Sequence, residues 1–125
     1  PSAITWVGYI YELMGNYKEA IEQWTKLASA NREDEYAKKI MQAFEQFGYR
    51  GFLKQDAAHF EAQQQYGDAA ADYATLGDKN AAFAALEKAF AKRVDILFIK
   101  VDPQFDSLRS DPRFADLLHR IGLPQ

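Results

Sequence analysis

The sequence predicts an all-α fold built from helical hairpins. Apolar residues recur three or four positions apart through most of the chain, which is the spacing of one face of a helix rather than of a strand. Gly15, Gly48 and Gly77 interrupt this spacing at similar intervals, and a second helical pattern follows each of them. A helix, a glycine turn and a second helix are therefore predicted three times in succession.

The first hairpin is the clearest of the three. Its helices are predicted at about residues 2–14 and 17–30. Two small residues, Gly8 and Ala20, stand where antiparallel helices approach closely, and Trp24 supplies bulk. Asn16 is predicted to cap the second helix, with Glu19 completing a capping box. The polar residues 31–34 connect this hairpin to the next.

The second and third copies keep the spacing while the residues change. A helix starting at Asp34 and broken at Gly48 has larger residues at the small positions, so we interpret it as a degenerate repeat. The third copy has predicted helices at about residues 68–76 and 79–92, with Asp78 as the cap of the latter. Because the interval before this copy is short, Gly67 is predicted to mark a tight turn, or a kink in one long helix, between residues 50 and 76.

Two similar motifs, Asp102-Pro103 and Asp111-Pro112, follow the third copy. Asp can cap a helix and Pro fits its first turn, so residues 94–121 are predicted to form two or three short helices over the open end of the hairpin stack. Ile96 lies in a β-branched stretch. A lone strand there would have no partner, so short helix or irregular chain is predicted. Gly122 is predicted to end the last helix.

The spacing Ile4-x2-Val7-Gly8-x2-Tyr11, then Ala20-x3-Trp24-x2-Leu27, closely resembles the signature of the tetratricopeptide repeat (TPR) family. This resemblance implies TPR-like helical hairpin repeats in a right-handed α-α superhelix with a short-helix C-terminal cap. At 125 residues the chain has the length of one domain. We divide that domain into repeat 1 (1–33), degenerate repeat 2 (34–62), repeat 3 (63–93) and the C-terminal cap (94–125).

A second resemblance concerns the C-terminal part, from about Gly77 onward. GDKNAAFAALEKAF, followed by VDPQFDSLRSDPRF, is similar to the ending of a group of bacterial TPR proteins. In that group the ending often follows winged-helix DNA-binding, cyclase or serine/threonine kinase domains. The first residue here is Pro1 rather than Met, so we expect the C-terminal part of a larger bacterial regulatory protein. We expect it in the cytoplasm, or in the periplasm if an upstream region carries a transmembrane segment.

Composition excludes several classes of function. The chain has no cysteine, which excludes disulfides, thiolate chemistry and Cys-containing zinc sites. Its net charge of −3 is spread without a basic stripe, so direct binding of nucleic acid is not expected. No apolar run approaches the ~20 residues that span a bilayer, so membrane insertion of this stretch is not expected either.

The residues that could carry catalysis do not form a pattern. His59 and His119 are far apart and lack carboxylates at metal-ligand spacing. Phosphate-binding glycine loops are absent from the sequence, and the acidic run 33–35 is interpreted as a connector entering the next helix. We therefore expect no enzyme activity, no catalytic or metal-binding residue and no cofactor.

The predicted function is protein–protein interaction or scaffolding, with an unidentified protein or peptide as partner. In TPR proteins the first helix of each pair lines the concave surface, so polar and aromatic residues off the apolar stripe of these helices would face a binding groove. The candidate groove residues are Thr5, Trp6, Tyr9, Glu12, Lys38, Gln42 and Glu45. An equally open interpretation is that Trp6 and Tyr9 packed against a preceding repeat. The alternative function is self-association into a homo-oligomer through the exposed N-terminal repeat.

Overall fold

The computed structural model describes residues 3–92, residue 99 and residues 102–122, and every regular element in these residues is helical. The elements are α1 (Ala3–Leu13), α2 (Tyr17–Ala30), α3 (Asp34–Ala62), α4 (Tyr66–Leu76), α5 (Lys79–Lys92), a 3₁₀ helix (Pro103–Leu108) and α6 (Pro112–Arg120). The all-α prediction is confirmed for this part of the chain. The prediction for Ile96 lies outside the described residues.

The chain divides into two compact units, residues 1–55 and 56–125. In the first unit α1 packs against α2. Gly8 is buried against the ring of Trp24, and a Cβ atom at Gly8 would lie 2.9 Å from that ring. Ala20 is fully buried. The close approach predicted from these small residues is confirmed.

Helix α3 is interrupted at Gly48, as the sequence predicts. Gly48 has φ 73° and ψ −163°, a region that is essentially restricted to glycine, while the residues on both sides are helical. A Cβ atom at this position would meet no other atom within 4 Å. The requirement for glycine at this kink is therefore conformational rather than steric.

The connection between α3 and α4 differs from the prediction. Helix α3 ends at Ala62, α4 begins at Tyr66, and Gln64 between them has φ 60°. Gly67 lies inside the first turn of α4, so the turn or kink predicted at Gly67 is wrong. The backbone of this connection repeats that of the α2–α3 connection: Gln65 N–H donates to Phe60 C=O (2.8 Å), as Glu33 N–H donates to Ala28 C=O (2.8 Å).

The capping box predicted for α2 is also wrong. Asn16 precedes the helix, but its side chain makes no capping hydrogen bond. The backbone N–H of Asn16, which Glu19 would accept in a capping box, instead donates to Tyr11 C=O at 2.9 Å. The turn at the end of α1 therefore uses the donor that the box requires.

In the second unit α4 packs against α5, and the C-terminal elements contact this pair: the 3₁₀ helix contacts α4 and α6 contacts α5. Asp102 and Asp111 each accept a hydrogen bond from the backbone N–H two residues later, at 2.9 Å, and Pro occupies the first turn of both helices. The helix starts predicted from the duplicated Asp-Pro motif are confirmed. Five apolar residues of the C-terminal elements are buried together with α4 and α5: Phe105, Leu108, Phe114, Leu117 and Leu118.

The C-terminal elements lie on the α4–α5 pair in a regular register. Hydrogen bonds join three pairs of residues that are each 33 positions apart. They run from Ser107 Oγ to Ala74 C=O (3.3 Å), from Arg113 Nη1 to Asn80 Oδ1 (2.9 Å) and from Arg120 Nη1 to Glu87 Oε2 (3.0 Å). The 3₁₀ helix and α6 thus follow the direction of the hairpin they cover, in the manner of one more, shortened hairpin. The assignment of four repeat segments to a single domain stays a prediction.

Candidate interaction surface

A groove of about 550 Å³ lies in the first unit, between α2 and the part of α3 before Gly48. Its lining residues are Thr25 and Ser29 of α2 with Asp34, Ala37, Lys38, Met41, Gln42 and Glu45 of α3. The α3 residues recur three or four positions apart, which places them on one face of the helix. Three predicted site residues, Lys38, Gln42 and Glu45, therefore come together in this groove.

The groove combines hydrogen-bonding side chains with an apolar floor. Ala37 is buried and Met41 is half-buried, whereas Lys38 and Gln42 are exposed. The Lys38 ammonium lies 3.7 Å from the Glu35 carboxylate. Both side chains of that ion pair are largely exposed, so the pair contributes little and the ammonium can exchange it for another acceptor.

The four predicted site residues on α1 are not among those that line the groove. Trp6 is largely exposed, and Thr5 and Tyr9 are half-buried. The Glu12 carboxylate accepts hydrogen bonds from Trp24 Nε1 of α2 and from the Tyr49 hydroxyl of α3, the latter at 2.7 Å. Glu12 thus joins three helices within the first unit. The assignment of these α1 residues to a binding site stays a prediction.

The Tyr49 ring, whose hydroxyl bonds Glu12, also contacts two other aromatic rings. It stacks on Tyr17 with a centroid distance of 3.9 Å and an interplanar angle of 9°. Phe52, which is buried, lies 5.9 Å from Tyr49 on a centroid-to-centroid measure. These rings hold the Tyr49 hydroxyl in place beside Glu12, so the Glu12 carboxylate forms part of the internal structure of the unit.

The sequence predicts groove residues only on the first helix of each hairpin. The structure adds two residues of α2, Thr25 and Ser29, to the groove. Thr25 and Ser29 are two hydroxyl residues four positions apart, which is the signal that places both on one side of α2. The Thr25 hydroxyl donates to Glu22 C=O at 2.8 Å, which leaves its lone pairs able to accept.

Three groups in the second unit have pKa values that burial or neighbouring charged side chains shift. Hydrogen bonds from Arg113 lower the pKa of the Asp111 carboxyl to about 2. A hydrogen bond from Arg120 likewise lowers the pKa of Glu87. Burial raises the pKa of the Tyr73 hydroxyl, and the nearby Glu61 carboxylate adds to this effect. Each shift therefore has a structural cause.

The two histidines occupy separate surroundings. His59 lies beside Phe60 with a centroid distance of 6.3 Å, and His119 is exposed on α6. Within the described ranges, no group of three or more His, Cys, Asp or Glu side chains is arranged to hold a metal ion. Over those same ranges, no helix combines the length and the apolar character needed to cross a bilayer.

Known family models, curated proteins and solved structures were each compared with the chain, and none of them matches it. The resemblance to TPR proteins consequently depends on the residues of the first hairpin and their spacing. The structure supports a more general statement. The chain forms packed pairs of helices, and the same backbone hydrogen bonds recur in the turns of the chain.

Proposed function

We propose that this chain is a protein–protein interaction module of TPR-like hairpins, and that the groove between α2 and α3 binds a segment of another protein. The observation that carries the proposal is the convergence of Lys38, Gln42 and Glu45 on one groove. None of these side chains belongs to the buried core, so they can bind without cost to stability. On the resemblance of the C-terminal part, the module serves as the docking or sensory end of a bacterial regulatory protein, located in the cytoplasm.

The dimensions of the groove favour a short extended peptide. Its lining residues on α3 run from Asp34 to Glu45, which corresponds to about 16 Å at ~1.5 Å per helical residue. An extended chain of about five residues covers that length at ~3.3 Å per residue. Lys38 and Gln42 supply donors, Asp34 and Glu45 supply acceptors, and Met41 supplies a flexible apolar contact. The proposed ligand is thus a segment that alternates polar and apolar side chains.

Selection from a displayed random-peptide library on the purified chain tests this proposal. Peptides that are selected should lose affinity for Lys38→Glu and for Gln42→Ala, because both variants change groove contacts. The matched control is Lys39→Glu, since Lys39 is an exposed neighbour that does not line the groove. The free energy of unfolding of each of the three variants should lie within ~0.5 kcal/mol of that of the parent chain.

Equal binding by the parent chain, Lys38→Glu and Gln42→Ala would contradict the groove assignment. Tyr9→Ala separates the two halves of the predicted site, because Tyr9 lies on α1 and not in the groove. A loss of binding in Tyr9→Ala without loss of stability would move the site to α1. The alternative function, self-association, concerns that same helix and is favoured by a separate observation, the apolar outer face of α1.

A further inference from the structure

The outer face of α1, together with Met14 directly after the helix, is an exposed apolar surface. Trp6 is 56% exposed, Val7 40%, Ile10 51%, Leu13 71% and Met14 65%. At 3.6 residues per turn these five residues, termed the α1 face, occupy an arc of about 120°. That arc is centred opposite Gly8, the residue through which α1 contacts α2. The α1 face therefore points away from the partner helix and takes no part in the packing of the hairpin.

The corresponding helix of the third hairpin shows which of these residues the hairpin itself requires. The turn after α1 and the turn after α4 share the same backbone hydrogen bonds: Asn16 N–H donates to Tyr11 C=O at 2.9 Å, and Asp78 N–H donates to Tyr73 C=O at 3.0 Å. This correspondence aligns Val7 with Ala69, which is fully buried. The position that is buried in the third hairpin, Ala69, is thus exposed in the first, where it is Val7.

The same alignment shows that α1 has apolar residues at positions where α4 has polar ones. The positions of Trp6, Ile10 and Leu13 are taken in α4 by polar residues: Asp68, Asp72 and Thr75. A helical hairpin of this kind consequently folds with polar side chains at these three positions. Large apolar side chains there are unfavourable in water and become favourable only when another surface covers them.

The α1 face contains no charged residue, which agrees with contact between two copies of the same chain. Glu12 is the only charged residue in α1, and it lies off the face with its carboxylate bonded to Trp24 and Tyr49. A two-fold contact brings the same patch of both copies together, and a patch without charged residues leaves no unpaired charge buried in that contact. The α1 face is such a patch.

The area of the face agrees with a dimer that forms reversibly. With ~150–250 Å² for each large side chain when fully accessible, the exposed fractions give about 400–700 Å² per copy. Two copies would bury about 800–1,400 Å², a range that lies around the boundary of ~1,200 Å² between weak, transient contacts and stable interfaces. We propose that the α1 face is a self-association site, through which two copies of this chain form a concentration-dependent dimer. This inference rests on self-association, the second proposed function, and is independent of the groove.

Sedimentation equilibrium of the full chain from micromolar to near-millimolar concentration tests the inference. The weight-average mass should rise from 14.2 kDa toward twice that value. Leu13→Glu should remain monomeric throughout, because the dimer would bury two carboxylates. The matched control is Phe47→Glu: Phe47 is 72% exposed, as open as Leu13, and lies on α3 outside the face. That variant should associate like the parent chain.

Two further measurements keep the test decisive. Ile10→Glu should abolish association as Leu13→Glu does, and circular dichroism should show parental helix content in both variants. Tryptophan emission, to which Trp6 and the half-buried Trp24 both contribute, should shift to shorter wavelength as the parent chain is concentrated, because the Trp6 ring leaves water. A parent chain that stays monomeric, or equal loss of association in Phe47→Glu and Leu13→Glu, would overturn the inference. Peptide binding by monomeric Leu13→Glu would show that the groove works without the dimer.

Discussion

Replacing Glu12 tests whether a side chain predicted for a binding site is instead part of the internal structure. In the first unit its carboxylate accepts hydrogen bonds from Trp24 Nε1 and from the Tyr49 hydroxyl. Hydrogen bonds to a charged group contribute ~1.5–3 kcal/mol each, and both donors are only partly buried, so water satisfies them in part after the acceptor is removed. We expect Glu12→Ala to lower the free energy of unfolding by about 2–4 kcal/mol.

The assay is urea unfolding followed by tryptophan fluorescence, since both tryptophans, Trp6 and Trp24, lie in the first unit. Glu12→Gln retains a neutral acceptor and should lose about half as much as Glu12→Ala, because the charge alone is removed. The matched control is Glu22→Ala, a carboxylate removed from the exposed side of α2, which should change stability by less than ~0.5 kcal/mol.

A double-mutant cycle of Glu12→Ala with Tyr49→Phe isolates the hydrogen bond between Tyr49 and Glu12. Tyr49→Phe removes only the hydroxyl that lies 2.7 Å from Glu12, so its effect should depend on whether Glu12 is present. A coupling energy near zero, together with a Glu12→Ala variant as stable as Glu22→Ala, would refute the structural role assigned to Glu12.

Two other predictions concern the second unit. Phe114 is 3% exposed, so Phe114→Ala should cost ~3–5 kcal/mol in thermal or urea unfolding, whereas the same substitution at the exposed Phe47 should have little effect; equal effects would mean that the C-terminal elements do not cover the hairpin. The pKa of Asp111 is lowered to about 2, below its ordinary value of ~3.9, so the stabilisation from its ion pair is present above about pH 4 and is lost as the pH falls toward 2. Carboxyl titration by NMR should place the Asp111 midpoint near 2 in the parent chain and higher in Arg113→Met; an unchanged midpoint in the variant would contradict the assigned cause.

The elements that were predictable from the sequence are those with local signals. Gly48 marks a backbone conformation that other residues avoid, and the Asp-Pro motifs at 102–103 and 111–112 supply both a capping side chain and a fixed φ within two residues. These features act over one turn of chain. They identify helix starts and breaks whatever the surrounding fold.

The break between α3 and α4 was not predictable by the same means. Gln63, Gln64 and Gln65 contain no turn residue, and glutamine favours helix. Gln64 nevertheless adopts a positive φ, because the connection repeats the backbone of the α2–α3 turn, where Arg32 has φ 62°. Local residue preference does not reveal this turn.

Part of the candidate site was likewise predictable from local spacing, and part of it was not. Lys38, Gln42 and Glu45 follow the helical period of a single element, and the structure brings them together in one groove. The bond between Glu12 and Tyr49 joins residues 37 positions apart. Spacing along α1 shows only that Glu12 lies off the apolar stripe. It cannot show that an aromatic hydroxyl from α3 lies against the carboxylate.

The constant register of the C-terminal elements on the α4–α5 pair has a consequence for the order in which the protein assembles. Each of the three hydrogen-bonded residue pairs that define it closes a loop of 33 residues. Closing such a loop costs chain entropy beyond that of contacts between neighbouring helices, so the α4–α5 pair is expected to form before the C-terminal elements dock on it. Until they dock, apolar surfaces on α4 and α5 are exposed to other unfolded chains.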